Sequence, residues 1–301
     1  MERRRFESID SVQSAFAAER YVADRDLATA VYLSLALDRP LLLEGEAGVG
    51  KTEVGRTLAA VLKTELIRLQ CYEGLDVNTA VYEWDYPRQM LEIRLLEARG
   101  EAKQAAAKDI FSEEFLIRRP LLRALENSRP EPPVLLIDEV DRADEEFEAY
   151  LLEVLADFAI TIPEVGTIRA DRPPHVIITS NRTREVHDAL KRRCLYHWID
   201  YPSSERELAI LGARRPDLPQ TLAAEVVAFV QRLRAADLTK VPGIAETIDW
   251  AAALEVLGAR RLEAEQVERT LGALLKYQED MAVMKGGGAA KVIDEMRAAP
   301  R

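Results

Sequence analysis

The stretch Gly45-Glu46-Ala47-Gly48-Val49-Gly50-Lys51-Thr52 fits the pattern G-x-x-x-x-G-K-[ST] at every fixed position. In this pattern the glycines let the backbone curl until consecutive N–H groups point at phosphate oxygens, and the following helix adds its positive N-terminal end. We expect Lys51 to reach the β- and γ-phosphates of ATP and Thr52 to offer its hydroxyl to Mg²⁺. The predicted nucleotide-binding residues are Gly45, Glu46, Ala47, Gly48, Val49, Gly50, Lys51, Thr52 and Glu53.

The residues on both sides of this stretch supply the context that such a loop needs. Pro40-Leu41-Leu42-Leu43-Glu44 is a short apolar run bounded by Pro and Gly, which is typical of a buried strand. After the loop, apolar residues recur at helical spacing at Val54, Leu58, Val61 and Leu62. Strand, loop and helix in that order favour a phosphate-binding loop over a glycine-rich turn with an incidental lysine.

The composition is that of a folded, acidic protein that is large enough for two packed units. Of its 301 residues, 48% are hydrophobic, and 41 basic residues stand against 52 acidic ones, which gives a net charge of −11. This balance offers no broad attraction for the nucleic-acid backbone, so no nucleic-acid partner is expected.

The chain shows no targeting or membrane signal. Residues 1–10 are charged and lack the apolar core of a signal peptide, and the apolar-leaning run 28–37 is interrupted and too short to span a bilayer. Cys71 and Cys194 are the only cysteines, too few for a disulfide framework. We therefore expect a cytoplasmic protein without a membrane span.

A second buried run, Val134-Leu135-Leu136-Ile137, ends in the adjacent acids Asp138 and Glu139. Packing explains the four apolar residues but not two carboxylates at the strand end. In a P-loop fold this end faces the phosphates, where Asp138 can hold the Mg²⁺ shell and Glu139 can orient and deprotonate the attacking water. A solvated helix start would explain the acids at 144–146, which suit the helix dipole, but not Asp138 and Glu139.

Two further strand and helix ends carry candidate residues. Asn181 follows the buried strand 175–179, where its amide could cap a turn or hydrogen-bond the γ-phosphate or the lytic water; we favour the second reading. Arg192 and Arg193 end a short helix before the last strand. The helix dipole alone favours basic residues there, but in a ring-forming ATPase such an arginine can reach the neighbouring subunit's γ-phosphate.

The remaining segments organise the chain around these sites. Two helices are expected within 9–37, a strand at 65–69, helix over 101–128 with a fresh start at Pro120, and a hairpin at about 160–168. The insert at about 71–99 mixes aromatic and charged residues. A partly buried loop and helix, and a contact with a partner or substrate, are equally good interpretations.

The chain changes character at about residue 202. After it, strand-like alternation stops, and helices are predicted over 204–213, 221–236, 245–257 and 263–284. Ser204 with Glu207 suits a capping box at the first of these helices. The run Lys285-Gly286-Gly287-Gly288 should end the last helix and begin a flexible tail. We therefore predict an α/β domain over 1–202 and a helical lid domain over 203–301.

Taken together, these motifs resemble those of an AAA+ ATPase over essentially the whole chain. The insert, the hairpin and the placement of the lid are similar to those of the MoxR family. The amino-acid sequence at residues 43–53, 69–76 and 241–250 resembles that of its CoxD-like branch. The resemblance implies an α/β P-loop NTPase fold, with a three-layer parallel sheet and a C-terminal all-helical lid.

The resemblance also assigns roles to individual residues. It makes Lys51 and Thr52 the Walker A pair, Asp138 and Glu139 the Walker B pair, Asn181 sensor 1, and Arg193 with Arg192 the arginine-finger candidates. One element departs from the family pattern, because residues 241–250 contain no sensor-2 arginine. Either Lys240 or another lid residue replaces it, or lid closure is less tightly linked to the γ-phosphate.

Membership of this branch implies a hexameric, ATP-hydrolysing chaperone. Its expected client is a metalloenzyme, such as a molybdenum hydroxylase of the aerobic carbon monoxide dehydrogenase type, and its expected partner is a protein with a von Willebrand factor A domain. A Rubisco-activase-type remodelling ATPase is the alternative with similar machinery. A P-loop small-molecule kinase and a nucleotide-sensing scaffold that does not hydrolyse ATP are alternatives of other classes.

Overall fold

The computed structural model describes residues 6–98, 110–127 and 130–298. The chain divides into two compact units. The sheet unit comprises Met1–Ile9, Thr29–Glu44 and Val54–His197. The helical unit comprises Asp10–Ala28, Gly45–Glu53 and Trp198–Arg301, so it includes the glycine-rich stretch that the sequence singles out.

The strands of the structure form one large sheet and two small antiparallel pairs. They are β1 (Leu41–Gly45), β2 (Leu66–Gln70), β3 (Tyr82–Trp84), β4 (Leu116–Arg118), β5 (Val134–Asp138), β6 (Ala159–Ile162), β7 (Gly166–Arg169), β8 (His175–Ser180) and β9 (Leu195–Ile199). The large sheet has the order β2-β5-β8-β1-β9. Strands β5 and β8 are buried along their whole length, as continuous apolar runs in a parallel sheet require.

The strand register brings the polar strand ends to one edge of this sheet. Strands β2 and β5, β5 and β8, and β8 and β1 pair in parallel. Gln70 pairs with Asp138, and Glu44 pairs with Ser180. Because the carboxyl ends of parallel strands lie at the same edge, Gln70, Asp138 and Ser180 end neighbouring strands together. The predicted parallel-sheet fold class is confirmed.

Helices flank these strands. Those before β9 are α1 (Ile9–Ala18), α2 (Arg25–Ala36), α3 (Lys51–Leu62), α4 (Val77–Ala80), α5 (Tyr86–Ala98), α6 (Pro120–Leu125), α7 (Glu145–Asp157) and α8 (Asp188–Arg193). Proline begins α6, where its missing N–H has no helical partner to lose. Asp144 caps α7 by accepting from the Phe147 backbone N–H at 2.9 Å. Phe147 and Leu151 then pack into the core of the sheet unit.

The helix predicted over 101–128 is wrong at its centre. Residues 113–115 form a 3₁₀ turn and 116–118 form β4, which pairs with β3 inside the insert. Tertiary packing overrides the helical composition there, because Leu116 is buried opposite Trp84 in the antiparallel register. Residues 101–109 and 128 of the prediction lie outside the described part of the chain. Strands β6 and β7 form a hairpin with Thr161 opposite Thr167.

The helical unit contains α9 (Ser204–Arg214), α10 (Gln220–Arg234), α11 (Ile244–Val256), α12 (Ala264–Leu274), α13 (Gln278–Met284) and α14 (Gly288–Ala298). Trp250 lies at the centre of its core, with its ring 5.3 Å from that of Phe229. The indole N–H donates to Thr270 Oγ1 at 2.8 Å, so the polar atom of this buried residue is satisfied.

Three details of the predicted lid need correction. The helix expected over 263–284 breaks between α12 and α13, where Leu275 adopts an extended backbone. The tail expected to be flexible instead forms α14, because Gly286 and Gly287 turn the chain with positive φ angles. Helix α14 then buries Ala289 and Ile293 in the core of the unit.

The third correction concerns the cap of α9. Ser203, not Ser204, caps this helix through the Arg206 backbone N–H. Glu207 is a buried residue of the helical unit and not a capping partner.

Within residues 6–98, 110–127 and 130–298, no helix combines the length and the apolar character that crossing a membrane demands.

Candidate functional site

The glycine-rich stretch adopts a backbone that only glycine allows at two positions. A Cβ on Gly45 would lie 2.2 Å from the Ile199 carbonyl oxygen. Gly48 has φ +80°, and a Cβ there would lie 2.8 Å from Glu246 Oε2. A side chain at Gly45 would clash with backbone that cannot move away, and at Gly48 the positive φ would strain any other residue, so the tight loop depends on both glycines.

Lys51 begins α3 and is held across this loop. Its side chain is buried, with the whole residue 5% exposed, and Nζ donates to the Gly45 carbonyl at 2.8 Å and to the Glu46 carbonyl at 2.6 Å. Thr52 follows as the first hydroxyl of the helix and is half-buried. The ammonium therefore sits where a phosphate-binding lysine must be, at the helix N-terminus.

The start of α11 packs against the same loop through backbone groups. The Ala245 N–H donates to the Gly48 carbonyl at 3.1 Å, and a Cβ on Gly243 would lie 3.0 Å from the Ala47 carbonyl oxygen. Glu246 accepts from the Gly243 N–H at 3.1 Å. In the helical unit the start of α11 thus contacts the loop through its main chain.

Charged side chains join the C-terminal end of the loop to a helix of the helical unit. Glu53 Oε1 accepts from Arg214 Nη1 at 2.9 Å. Tyr201 lies under the guanidinium of Arg234, whose Cζ is 5.1 Å from the ring centre. Burial raises the pKa of Tyr201, and the Glu46 carboxylate raises it further. Val49 is buried within the loop itself.

In the sheet unit, Asp138 ends β5 with a carboxylate that is buried and hydrogen-bonded at both oxygen atoms. Its side chain is 2% exposed. Oδ1 accepts from Thr179 Oγ1 at 2.6 Å, and Oδ2 accepts from Arg68 Nε at 2.9 Å. A buried carboxylate requires such donors, because an unpaired charge in the interior is strongly unfavourable.

Glu139 adopts a left-handed backbone, with φ 56° and ψ 51°. Its N–H donates to Thr179 Oγ1 at 2.9 Å, and its Oε2 accepts from Gln70 Nε2 at 3.1 Å and Arg142 Nη1 at 3.2 Å. A non-glycine residue in this conformation stores strain of about 1–3 kcal/mol, and such residues cluster at functional sites. The surrounding donors hold the carboxylate of Glu139 in one orientation.

Asn181 follows β8 in a segment that Asp141 organises. Asp141 is buried and accepts from the Asn181 N–H at 3.1 Å, the Thr183 N–H at 2.9 Å and Thr183 Oγ1 at 2.7 Å. Within the described residues, the Asn181 carboxamide makes no hydrogen bond of its own. The backbone at this strand end is therefore fixed while the side-chain amide remains available to a ligand.

Arg192 and Arg193 are exposed at the end of α8. Their carbonyls are satisfied by Arg39, which donates to Arg192 at 2.8 Å and to Arg193 at 3.3 Å. Within the part of the chain that the structure describes, no hydrogen bond or ion pair joins either guanidinium to Asp138 or Glu139. The structure thus joins Asp138 and Glu139 through Thr179 but leaves Arg192 and Arg193 outside that cluster.

Sequence reasoning missed the residues that hold the two carboxylates. Arg68 and Gln70 alternate with the buried Ile67 and Leu69 along β2. That alternation was visible in the sequence and places Arg68 and Gln70 on one strand face. What it could not provide was the strand order, which sets β2 beside β5 although 63 residues separate them in the chain.

Both cysteines are buried free thiols. Burial raises the pKa of Cys71 to about 12 and that of Cys194 to about 12. Because the thiolate is the reactive form, neither cysteine is a candidate nucleophile at neutral pH.

A family model matches the part of the chain that contains the glycine-rich stretch. The family model described as "AAA domain (dynein-related subfamily)" matches residues 40–194. This range contains the glycine-rich stretch, Asp138, Glu139 and Asn181, and it ends just after Arg193.

The curated relatives and solved structures described next are each less than 30% identical to this chain. An uncharacterized Staphylococcus epidermidis protein is 26% identical over 70% of this chain and 73% of its own length. An uncharacterized protein of Staphylococcus aureus strain USA300 is 28% identical over 55% of this chain, which spans 57% of that relative's length.

Among solved structures, the P216G mutant of Thermotoga maritima RuvB superposes with a TM-score of 0.50 at 18% identity. The superposition covers 98% of this chain and 82% of that one. The Thermotoga maritima RuvB Holliday junction branch migration motor gives 0.48 at 16% identity, over 99% and 82% of the two chains. At these identities the likeness to the mutant concerns the fold alone.

Proposed function

The chain belongs to the AAA domain family of the dynein-related subfamily, and on this premise we propose that it binds ATP and hydrolyses it to ADP and phosphate. The observation that carries the proposal is the conformation of Glu139. Its strained backbone and its carboxylate are both held by side-chain donors, immediately after a buried strand-end aspartate. Packing alone does not require a strained residue with a fixed carboxylate at this position, whereas activation of a water molecule requires a carboxylate that is held in place.

The loop residues suit the triphosphate. The Lys51 ammonium can exchange the carbonyls of Gly45 and Glu46 for β- and γ-phosphate oxygens, and the N-terminus of α3 adds its dipole. Helix α3 packs on the sheet face that carries Asp138: a Cβ on Gly55 would lie 3.2 Å from Leu136, which points to the same face as Asp138.

Two residues that the sequence singles out are of types that suit a magnesium ion. Asp138 and Thr52 offer hard oxygen atoms of the kind that Mg²⁺ prefers, and we propose that they hold it. When bound, the ion would neutralise charge on the phosphates during transfer.

Side chains of the sheet unit carry out the remaining steps of ATP hydrolysis. Glu139 accepts the proton of the attacking water, while Gln70 and Arg142 keep its Oε2 in place. The carboxamide of Asn181 donates to the γ-phosphate or orients the water.

A kinase reading is less well supported. A small-molecule kinase needs lid arginines that clamp phosphates. In the helical unit Arg206, Arg215 and Arg234 are paired with Asp24, Glu255 and Glu207. These guanidinium groups are committed to carboxylates of the same unit, which favours water as the acceptor of the phosphoryl group.

The finer proposal is a MoxR-type chaperone of the CoxD-like branch. The protein would form a hexamer, work with a von Willebrand factor A domain protein and mature a metalloenzyme such as a molybdenum hydroxylase. The amino-acid sequence at residues 43–53, 69–76 and 241–250, which resembles that branch, supports this proposal. The exposed Arg192 and Arg193 suit action on a neighbouring subunit, and the exposed Tyr86, Met90 and Leu91 on α5 suit a protein contact.

The ATPase proposal is tested by Lys51→Ala. We expect this variant to lose phosphate release and to bind a fluorescent ATP analogue at least about 100-fold more weakly, because the ammonium contacts the phosphates directly. Lys291→Ala is the matched control, since Lys291 is an exposed lysine on α14. Wild-type protein that binds no adenine nucleotide would contradict the proposal.

Action between subunits is tested by mixing variants. Arg193→Ala and Lys51→Ala should each be inactive alone and recover part of the activity when mixed, because each supplies what the other lacks. Co-assembly is verified first by mass photometry of the mixture. If verified mixed rings stay inactive at all ratios, Arg193 does not act in trans.

The client is tested by affinity capture with Glu139→Gln in ATP. Recovery of a molybdenum hydroxylase together with a von Willebrand factor A domain protein is expected. Capture of neither would contradict the chaperone role and leave the ATPase proposal standing.

A further inference from the structure

Strand β2 presents two polar side chains to the sheet face that carries the Asp138 carboxylate. Ile67 and Leu69 are buried in the core, while Arg68 and Gln70 alternate with them. Residues i and i+2 of a strand point to the same face, and Gln70 is the register partner of Asp138. Arg68, Gln70 and Asp138 therefore share one face of the sheet.

The guanidinium of Arg68 occupies the outer oxygen of Asp138. Both Nε and Nη2 donate to Oδ2, with Nε at 2.9 Å, while Thr179 Oγ1 donates to Oδ1 at 2.6 Å. A carboxylate offers about four lone-pair positions in all. These three donors take up most of them, whereas a Mg²⁺ ion at this carboxylate would need at least one of them, directly or through one of its waters.

We infer that Arg68 competes with the divalent cation for Asp138, so that its guanidinium must leave Oδ2 before the cation can bind. The inference rests on the proposed function, because it concerns the cation that accompanies the nucleotide. The Arg68 side chain is 42% exposed although Asp138 is buried. A released guanidinium can therefore turn into water on its flexible stem, and no charge is stranded in the interior.

The same arginine reaches the second carboxylate through Gln70. Arg68 Nη2 donates to Gln70 Oε1, and Gln70 Nε2 donates to Glu139 Oε2 at 3.1 Å. When the cation displaces Arg68, the Gln70 carboxamide loses the partner that fixes its oxygen. Arrival of the metal at Asp138 is thus coupled to the orientation of Glu139.

The test measures the affinity for mant-ADP as Mg²⁺ is titrated, in wild type, Arg68→Ala, Arg68→Lys and Arg123→Ala. Removing Arg68 should lower the half-maximal Mg²⁺ concentration about tenfold, as expected when a competitor engaged about nine-tenths of the time is removed. Arg68→Lys keeps the charge but loses the planar fork, so its midpoint should fall in between. Mn²⁺ affinity in the presence of ADP, read by electron paramagnetic resonance, should follow the same order.

Arg123→Ala is the matched control. Arg123 is an exposed arginine of the sheet unit that pairs with Glu65 at 2.6 Å, so the variant removes a surface ion pair away from Asp138. Its midpoint should stay within about twofold of wild type. An equal shift in Arg123→Ala and Arg68→Ala would overturn the inference.

Two other outcomes would also overturn it. One is a folded Arg68→Ala with a lowered melting temperature and an unchanged Mg²⁺ midpoint, which would make Arg68 a packing residue. If Arg68→Ala does not fold, a wild-type midpoint in Arg68→Lys decides against the inference. Wild type that binds no mant-ADP would instead overturn the proposed function as well.

Discussion

Two arginine–carboxylate pairs of this protein have an equally buried acid and differ in the exposure of the arginine. Asp138 in the sheet unit is 2% exposed and Glu207 in the helical unit is 0% exposed. Their partners differ, because the Arg68 side chain is 42% exposed and that of Arg234 only 8%. One arginine can return to water without moving the fold, and the other cannot.

The partners of Glu207 show what a structural pair requires. Arg234 donates to both carboxylate oxygens at 2.7 and 2.8 Å, Gln231 donates at 2.8 Å, and Thr247 Oγ1 donates at 2.8 Å. Arg234 Nε also donates to the Pro242 carbonyl, next to the segment that contacts the phosphate loop. This network joins α9, α10 and α11, whereas the arginine that pairs with Asp138 is partly exposed.

The largest effect is expected from Glu207→Ala. It leaves the buried Arg234 guanidinium without its partner, so the free energy of unfolding should fall by about 3–5 kcal/mol. Urea unfolding followed by circular dichroism measures the change. A loss no larger than that of a surface substitution would show that the pair does not hold the helical unit together.

Asp138→Ala should be less costly, at about 1–2 kcal/mol, because the Arg68 guanidinium can turn to solvent. The same urea experiment makes the comparison, with Thr179→Val as a check on the second donor. A loss equal to that of Glu207→Ala would remove the distinction between an exchangeable and a permanent pair.

Glu139→Gly should raise the free energy of unfolding by about 1 kcal/mol, since glycine relieves the left-handed strain. Loss of the carboxylate should abolish turnover at the same time. Val140→Ala, one residue further on, is the control for a general loosening of this turn. Destabilisation by Glu139→Gly would mean that the backbone there is not strained.

Arg214→Ala should change stability least, within about 0.5 kcal/mol, because the Arg214–Glu53 pair is partly exposed on both sides. Differential scanning fluorimetry with and without ADP measures it. A large loss of stability in the absence of nucleotide would show that this surface pair, like Glu207 and Arg234, holds the helical unit together.

Much of the fold was readable from the sequence, for identifiable reasons. The runs at 41–43 and 134–137 are apolar without interruption, and only burial on both faces explains them. Gly45, Gly48 and Lys51 each have a defined chemical role in a phosphate-binding loop. Their spacing therefore identifies the loop from a single sequence. The short strand β4 could not be read, because Leu116 and Ile117 form a strand only by pairing with β3 across the insert.

The supporting residues of the site were unreadable for a different reason. Arg68 and Gln70 matter because β2 lies beside β5, which is a property of sheet order and not of local sequence. Glu207 was read as a capping residue because its spacing from Ser204 fits that pattern. Only the approach of α10 and α11 turns it into a buried partner of Arg234.

The most direct test of the central claim is phosphate release by Glu139→Gln compared with wild type. The glutamine keeps the size of the side chain but cannot accept a proton, so turnover should fall at least about 100-fold while ATP affinity stays within about threefold. Near-normal turnover in this variant would contradict the assignment of Glu139 as the residue that activates water.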